Sequence, residues 1–199
     1  MTGTWIAFEG GEGSGKSTQA RRLAETLDAV LTREPGGTPV GERVRAVLLD
    51  PSADIDPRAE TLLMAADRAQ HVSSVVVPAL ERGEVIVSDR SAYSSIAYQG
   101  HGRGLPFDEV RSISAWASGG RWPDLVFLLD VPDDVRSARM QRDHDRLEAA
   151  GAAFHQRVNA GFREMAAADP DGWIVVDGTP PPDEIAAHIL ETYRRWSRG

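Results

Sequence analysis

Cysteine is absent from this chain of 199 residues. Its absence excludes disulfide bonds, thiolate nucleophiles and metal sites built on cysteine. Basic residues are scarce relative to acidic ones, because 22 Lys and Arg stand against 30 Asp and Glu, which gives a formal net charge of −8. A nucleic-acid-binding surface is typically basic, so this balance argues against such a partner. Any site for an anionic ligand must therefore be a local cluster of cations.

Long apolar segments are missing as well. No run approaches the roughly 20 apolar residues that a membrane-spanning helix requires. The first residues, Met1 to Thr4, show no basic region followed by a long apolar core, so no signal peptide is expected. We therefore expect a soluble, cytoplasmic protein with neither a membrane nor a nucleic acid as partner. The length favours a single domain over residues 1–199.

Five apolar segments are typical of buried parallel strands, because their apolar residues are continuous rather than alternating. They cover residues 4–8, 29–32, 85–88, 125–129 and 173–176. Helical patterns follow at 42–49, 58–81, 107–117, from 135 onward, and at 183–196. This alternation predicts an α/β fold with a parallel five-stranded sheet and helices on both faces. Ligands of such sheets bind beyond the carboxyl ends of the strands.

A glycine-rich loop follows the first strand. Gly10, Gly15, Lys16 and Ser17 fit the phosphate-binding pattern G-x-x-x-x-G-K-[ST], and the segment after them has helical spacing. Backbone N–H groups of such a loop converge on phosphate, Lys16 reaches the outer phosphates, and the Ser17 hydroxyl helps to hold Mg²⁺. The loop therefore predicts binding of a nucleoside triphosphate. The predicted binding residues are Gly10, Gly11, Glu12, Gly13, Ser14, Gly15, Lys16, Ser17 and Thr18.

Three classes of protein use such a loop: switch GTPases, mechanical ATPases and small-molecule kinases. A switch GTPase needs an Asn-Lys-x-Asp segment to read guanine, and the chain has none. Mechanical ATPases are usually larger. A small-molecule kinase needs a second anion site, for which arginine is suited because its planar fork binds phosphate through two hydrogen bonds. Arg90 is the leading candidate, since it directly follows a predicted buried strand and Asp89.

Four segments together resemble the thymidylate kinase family, whose members phosphorylate dTMP with ATP. They are the loop at residues 8–19, the segment Thr32-Arg33-Glu34-Pro35-Gly36-Gly37-Thr38, the segment from Asp89-Arg90 to Gly100, and Asp145-Arg146-Leu147-Glu148 with Phe154, Arg157 and Val158 behind it. The resemblance runs nearly end to end. It implies a P-loop NTPase-type fold, one nucleoside-monophosphate-kinase-like domain with a short lid at about residues 136–150, ATP and Mg²⁺ as cofactors, and a homodimer.

The resemblance also implies roles for individual residues. The catalytic residues would be Lys16, Asp89, Arg90, Arg139 and Arg142, with the last two on the lid and one of them stabilising the transferring phosphoryl group. Residues that bind dTMP would be Glu12, Arg33, Met64, Arg68, Arg90, Ser95, Tyr98 and Gln99. Ser17 would bind the metal. Met64 stands where the family usually has an aromatic residue, and it fits core packing as well as contact with the base.

Two other functions stay open. Asp89-Arg90-Ser91 superficially resembles a segment of deoxynucleoside kinases, so the acceptor could be a nucleoside or another deoxynucleotide. A nucleotide-binding regulator without catalysis is the other alternative, although the complete set of Lys16, Ser17, Asp89 and Arg90 weighs against it. A comparison of dTMP with thymidine as phosphate acceptor distinguishes a nucleotide kinase from a deoxynucleoside kinase.

Overall fold

A parallel five-stranded sheet forms the centre of the computed structural model, which describes residues 3–139 and 145–198. The strands are β1 Thr4–Glu9, β2 Val30–Arg33, β3 Val85–Asp89, β4 Leu125–Asp130 and β5 Trp173–Asp177. Their order in the sheet is β2-β3-β1-β4-β5, and every neighbouring pair is parallel. The predicted fold class is confirmed.

Helices connect the strands along the chain. They are α1 Lys16–Leu27, α2 Pro39–Leu49, α3 Pro57–His71, α4 Val77–Glu81, α5 Ala92–Ser95, α6 Phe107–Ala117, α7 Asp133–Arg139, α8 Ala152–Ala168 and α9 Pro182–Trp196. Two π-helical segments, Val72–Val76 and Ile96–Gly102, follow α3 and α5, and Glu148–Ala150 forms a 3₁₀ turn. Within the two described ranges, no helix has the length and apolar character needed to cross a membrane.

Both faces of the sheet are buried, because successive side chains of a strand point to opposite sides. On one face, Ile6 and Phe8 pack with residues of α1 and α9, among them Leu23 and Ile189. On the other face, Ala7 packs with residues of α8, and Trp5 packs with the π-helical segment after α3. The sheet is therefore a rigid platform whose strand ends are held in fixed relative positions.

The predicted helix at residues 58–81 is interrupted in the structure. α3 ends at His71, the segment Val72–Val76 is π-helical, and α4 begins at Val77. Pro78 explains the change, because it has no N–H to donate to the carbonyl four residues earlier, and a wider turn accommodates its ring. Apolar periodicity continues through this break, so the sequence pattern does not reveal it.

Other boundaries differ in a regular way. Each strand extends one residue beyond its predicted carboxyl end, and each added residue is charged: Glu9, Arg33, Asp89, Asp130 and Asp177. The segment from Ala92 to Gly102 is helical in the structure. No helix was predicted there, because the segment is short and contains two glycines. The helix predicted from residue 135 onward is α7, which begins at Asp133; α8 is a separate helix, and residues 140–144 lie outside the described part of the chain.

Candidate active site

The loop between β1 and α1 has the geometry of a phosphate cradle. Gly10 adopts a φ of 137°, and a β-carbon there would lie 2.6 Å from the carbonyl oxygen of Leu129, so a side chain cannot be accommodated. Lys16 is the first residue of α1, and its Nζ donates to the carbonyl of Gly11 at 2.8 Å. Burial lowers the pKa of Lys16, and nearby Arg90 adds to this effect. The N-terminus of α1 and the ammonium group of Lys16 thus both lie at the loop, where each favours an anion.

Arg90 lies at the mouth of this loop. Its backbone N–H donates to the carbonyl of Phe8 at 2.9 Å, and its φ of 73° turns the chain at the end of β3. The guanidinium extends back to the loop, where Nη1 donates to the carbonyl of Gly10 at 3.3 Å and to Oγ of Ser94 at 3.1 Å. Nη2 donates to Tyr98 Oη at 2.9 Å and to the carboxylate of Glu12. Arg90 is therefore held beside the phosphate cradle.

Glu12 and Arg90 form a partly buried ion pair at this point. Burial alone would raise the pKa of Glu12, but Arg90 and Lys16 outweigh it and lower the pKa to about 2. Burial also opposes the charge of Arg90, yet the Glu12 carboxylate raises the pKa of Arg90. Both groups are therefore charged at neutral pH.

Two oxygen groups beside Lys16 fit a magnesium ion. The Ser17 hydroxyl, in the first turn of α1, donates to the carboxylate of Asp89 at the end of β3. Hydroxyl and carboxylate oxygens are hard ligands of the type that Mg²⁺ prefers, and nucleotide-bound Mg²⁺ typically takes only one or two ligands from the protein. The donor set therefore suits the ion.

A cleft of about 580 Å³ extends from the loop toward α3 and the π-helical segment Ile96–Gly102. It brings together all eight residues predicted to bind dTMP and three further predicted site residues, Lys16, Ser17 and Asp89. These residues are Glu12, Lys16, Ser17, Arg33, Met64, Arg68, Asp89, Arg90, Ser95, Tyr98 and Gln99. Residues that are far apart in sequence thus line one cavity, with the phosphate cradle at one end.

Arg68 lies in the wall of the cleft and is almost fully buried, with 2% of its surface exposed. Its Nε donates to Glu34 at 2.9 Å, and its Nη2 donates to Oγ of Ser95 at 2.9 Å. The second oxygen of Glu34 contacts Nδ1 of His71 at 2.9 Å. Arg68 is therefore fixed by a buried carboxylate that is itself held in place.

Some predicted residues lie elsewhere. The guanidinium of Arg139 donates to the carbonyls of Gly178 and Thr179 at 2.9 and 3.3 Å, after β5, and Arg139 is not among the described residues that line the cleft. Arg142 lies outside the described residues. Arg33 does line the cleft, and there it forms an ion pair with Glu42 at 2.8 Å. Gly10 and Gly11 line a small separate pocket behind the loop.

Sequence reasoning missed the buried carboxylates that support the site. Glu9, at the end of β1, accepts hydrogen bonds from the N–H and Oγ of Ser91, both at 2.8 Å, and from Oγ of Ser94 at 2.6 Å. Burial raises the pKa of Glu9. The available signal was an acidic residue directly after a buried apolar run. Arg45 was also missed; it lines the cleft and donates to the carbonyl of Pro35 at 2.9 Å.

The parallel sheet, the phosphate cradle and a second cationic site at the same strand ends define a nucleotide kinase of the P-loop class. Comparison with known proteins narrows this class. A family model described as thymidylate kinase matches residues 8–189. The chain belongs to the thymidylate kinase family.

Individual relatives agree with this assignment along nearly the whole chain. A protein named thymidylate kinase from Clavibacter sepedonicus is 50% identical over 95% of this chain and 93% of its own length. One from Deinococcus radiodurans is 49% identical over 94% of each. The crystal structure of thymidylate kinase from Ehrlichia chaffeensis matches with a TM-score of 0.82 and 30% identity, covering 98% of this chain and 100% of that one.

Proposed function

We propose that this chain transfers the γ-phosphoryl group of ATP to the 5′-phosphate of dTMP, producing ADP and dTDP. Family membership supports the reaction. The observation that carries the proposal is the position of Arg90, whose Nη1 lies 3.3 Å from the carbonyl of Gly10 where the phosphate cradle meets the cleft. A monophosphate bound in the cleft would meet the terminal phosphate of ATP at this junction.

Positioning and charge neutralisation account for most of catalysis in such a reaction. Lys16 and the N-terminus of α1 bind the phosphates of ATP, and the fork of Arg90 binds the phosphate of dTMP. A phosphate monoester has a second pKa of about 6, so the attacking oxygen is mostly deprotonated at neutral pH. The site therefore needs no strong general base. When Arg90 binds a phosphate, its hydrogen bonds to Glu12 and Tyr98 are replaced by hydrogen bonds to phosphate oxygens.

Ser17 and Asp89 would hold Mg²⁺ together with ATP. Bound there, the ion neutralises charge on the transferring phosphates. The hydrogen bond between the two side chains supports this role, because it keeps both oxygens beside Lys16.

The far end of the cleft would hold thymidine. Arg68 and Ser95 are neighbours there, and Arg68 is suited to donate to a carbonyl of thymine. Met64 lines the same wall, where its polarisable sulfur can pack on the ring. The ring of Tyr98, whose hydroxyl contacts Glu12 at 3.1 Å, would lie beside the sugar and disfavour a 2′-hydroxyl.

The lid is part of the proposal. Residues at about 136–150 would close over ATP, with Arg139 or Arg142 stabilising the transferring phosphoryl group. For Arg139, catalysis requires that its bonds to the carbonyls of Gly178 and Thr179 be exchanged for phosphate oxygens.

A homodimer is also proposed. Along the predicted helical segment at residues 58–81, Ala65, Val72 and Val76 are buried in the chain itself, whereas 59% of Leu62 is exposed. α2 and α6 both pack against α3, and they carry the exposed apolar residues Val47 and Trp116. Cytoplasmic location remains a prediction.

An assay that couples ADP release to a spectroscopic signal tests the reaction. We expect ATP consumption with Mg²⁺ to depend on dTMP and to be weaker with dUMP, because a pocket distinguishes a methyl group from hydrogen by about 1–3 kcal/mol. Thymidine should not be an acceptor. Phosphorylation of thymidine in preference to dTMP would identify a deoxynucleoside kinase instead. ATP binding without ADP production for any acceptor would identify a regulator.

A further inference from the structure

Glu60 of α3 is a buried carboxylate that three side chains from other parts of the chain contact. None of its surface is exposed. Gln99 donates from Nε2 to Oε1 at 2.8 Å, and Arg103 donates from Nε to Oε1 at 3.2 Å and from Nη2 to Oε2 at 2.9 Å. Nη2 of Arg146 forms an ion pair with Oε2 at 2.7 Å. Burial opposes ionisation, but these contacts hold the pKa of Glu60 below its ordinary value.

This arrangement fixes the orientation of the Gln99 amide. An ionised carboxylate only accepts hydrogen bonds, so Gln99 must present its NH₂ group to Glu60. The opposite orientation would place two acceptor oxygens against each other. The remaining oxygen, Oε1 of Gln99, is buried and has no hydrogen-bond partner among residues 3–139 and 145–198, and Gln99 lines the cleft. A buried acceptor without a partner is costly, which suggests that a ligand satisfies it.

Glu60 is itself held rigidly. Arg103 packs its guanidinium over the ring of Phe154 at 4.7 Å, and Nε of Arg146 donates to the carbonyl of Leu48 at 2.8 Å. Because both arginines are anchored and contact the second oxygen of Glu60, the carboxylate cannot turn away from Gln99 without breaking two ion pairs.

We propose that Glu60 is a positioning residue that makes Gln99 a hydrogen-bond acceptor and so selects pyrimidines that carry a ring N–H. Thymine and uracil have a proton on N3, whereas N3 of cytosine is itself an acceptor. Cytosine would therefore place a lone pair against Oε1 of Gln99. The inference rests on the proposed function, because it assumes that the base of the monophosphate occupies this end of the cleft.

The substitution Glu60→Gln tests the proposal. An amide at position 60 can accept and donate, so Gln99 becomes free to rotate and to offer its NH₂ group to the base. We expect the ratio of kcat/KM for dTMP to that for dCMP to fall at least about tenfold, while KM for ATP stays unchanged. A purely structural role would lower both values of kcat/KM equally and leave the ratio intact, which would overturn the proposal. Glu81→Gln, at an exposed glutamate, is the matched control.

A double-mutant cycle shows whether Glu60 acts through Gln99. Gln99→Met removes the amide oxygen and the amide NH₂ at similar side-chain volume, and it should also lower the ratio of kcat/KM for dTMP to that for dCMP. In that background, Glu60→Gln should change the ratio no further; a further fall of similar size would contradict the proposal. If Glu60→Gln does not fold, Gln99→Met decides alone, and an unchanged ratio then overturns the proposal. Wild-type protein that releases no ADP with dTMP would refute the proposed function itself.

Discussion

At the scale of single residues, the site depends on Arg90 more than on any other side chain. Its backbone continues the hydrogen bonding of β1, its φ lies in the left-handed region, and its guanidinium touches Glu12, Tyr98, Ser94 and the phosphate loop. A backbone conformation that arginine rarely adopts is thus maintained at the point where the two phosphates would meet.

Arg90→Lys keeps the positive charge but removes the planar fork. We expect kcat/KM for dTMP to fall about 100-fold, because a lysine ammonium cannot replace bidentate contact with phosphate, while KM for ATP changes less than about threefold. Steady-state kinetics with each substrate varied in turn provide the measurement. Arg82→Lys, at an exposed arginine paired with Glu84, is the control. Equal kinetics for the two variants would remove Arg90 from the binding of the acceptor phosphate.

Individual site residues were predictable from sequence where a short motif contains them. Lys16, Ser17, Asp89 and Arg90 come from such motifs, and the structure brings all four to the same strand ends. The supporting roles of the carboxylates Glu9, Glu34 and Glu60 were not predicted, because each acts through a partner far away in sequence, even though Glu9 and Glu34 lie within motif segments. A charged residue beside apolar neighbours gives only a weak signal, since many such residues are solvated.

At the scale of elements, α3 connects the cleft to a buried polar network. Asp67, with 1% of its surface exposed, accepts a hydrogen bond from the N–H of Gly36 at 2.8 Å. Burial raises the pKa of Asp67 to about 6, and nearby Glu34 adds to this, while the Gly36 bond, His71 and Arg68 act in the opposite direction. The folded protein therefore holds the Asp67 proton more tightly than the unfolded chain does.

This raised pKa predicts a pH-dependent loss of stability. The stabilising contribution of protonated Asp67 is complete below the ordinary pKa of aspartate, and it is lost as pH rises toward about 6. Asp67→Asn removes this titration, and its Oδ1 can still accept from Gly36. The free energy of unfolding of the variant relative to wild type should increase by about 1 kcal/mol between pH 5 and pH 7.5. Denaturant melts at several pH values measure it; a difference that does not vary with pH would contradict the shifted pKa.

The proposed lid, at about residues 136–150, is a second element whose role can be tested. Arg139→Ala and Arg142→Ala should each be tested, and at least one should lower kcat by about 100-fold or more with little change in KM for dTMP, since a group that acts on the transferring phosphoryl affects the transition state most. Single-turnover kinetics separate this chemical step from product release. Near-normal kcat in both variants would exclude the lid from the chemistry.

The positions of the strands were easier to predict from the sequence than the residues at which they end. All five strands were located from apolar runs, yet each continues for one charged residue, because backbone pairing does not depend on side-chain polarity. Those added residues lie at the functional edge of the sheet. The break at Val72–Val76 and the helix at Ala92–Ser95 escaped prediction, since hydrogen bonding around Pro78 and tertiary packing determine them.

At the scale of the whole molecule, a chain with net charge −8 concentrates arginines around one cleft. At this scale the chain is also proposed to form a homodimer. Exposed apolar side chains on neighbouring helices, Leu62 on α3 at 59% and Trp116 on α6 at 84%, are the surface that a second copy of the chain would cover.

Leu62→Glu should disrupt the proposed homodimer, because it would bury a charge in an apolar interface. Sedimentation velocity should report a dimer for wild type and a monomer for the variant at the same concentration. Val175→Glu, at an exposed valine on edge strand β5, should remain dimeric. A wild-type protein that sediments as a monomer would contradict the assembly proposed here.

The most direct measurement is a crystal structure of this chain with ADP and dTMP bound together. The 5′-phosphate of dTMP should lie within hydrogen-bond distance of the Arg90 guanidinium, and the β-phosphate of ADP should lie within hydrogen-bond distance of Lys16 Nζ. The two nucleotides would then point toward each other across the phosphate loop. A dTMP phosphate bound away from Arg90, with Arg90 still paired to Glu12, would contradict the account.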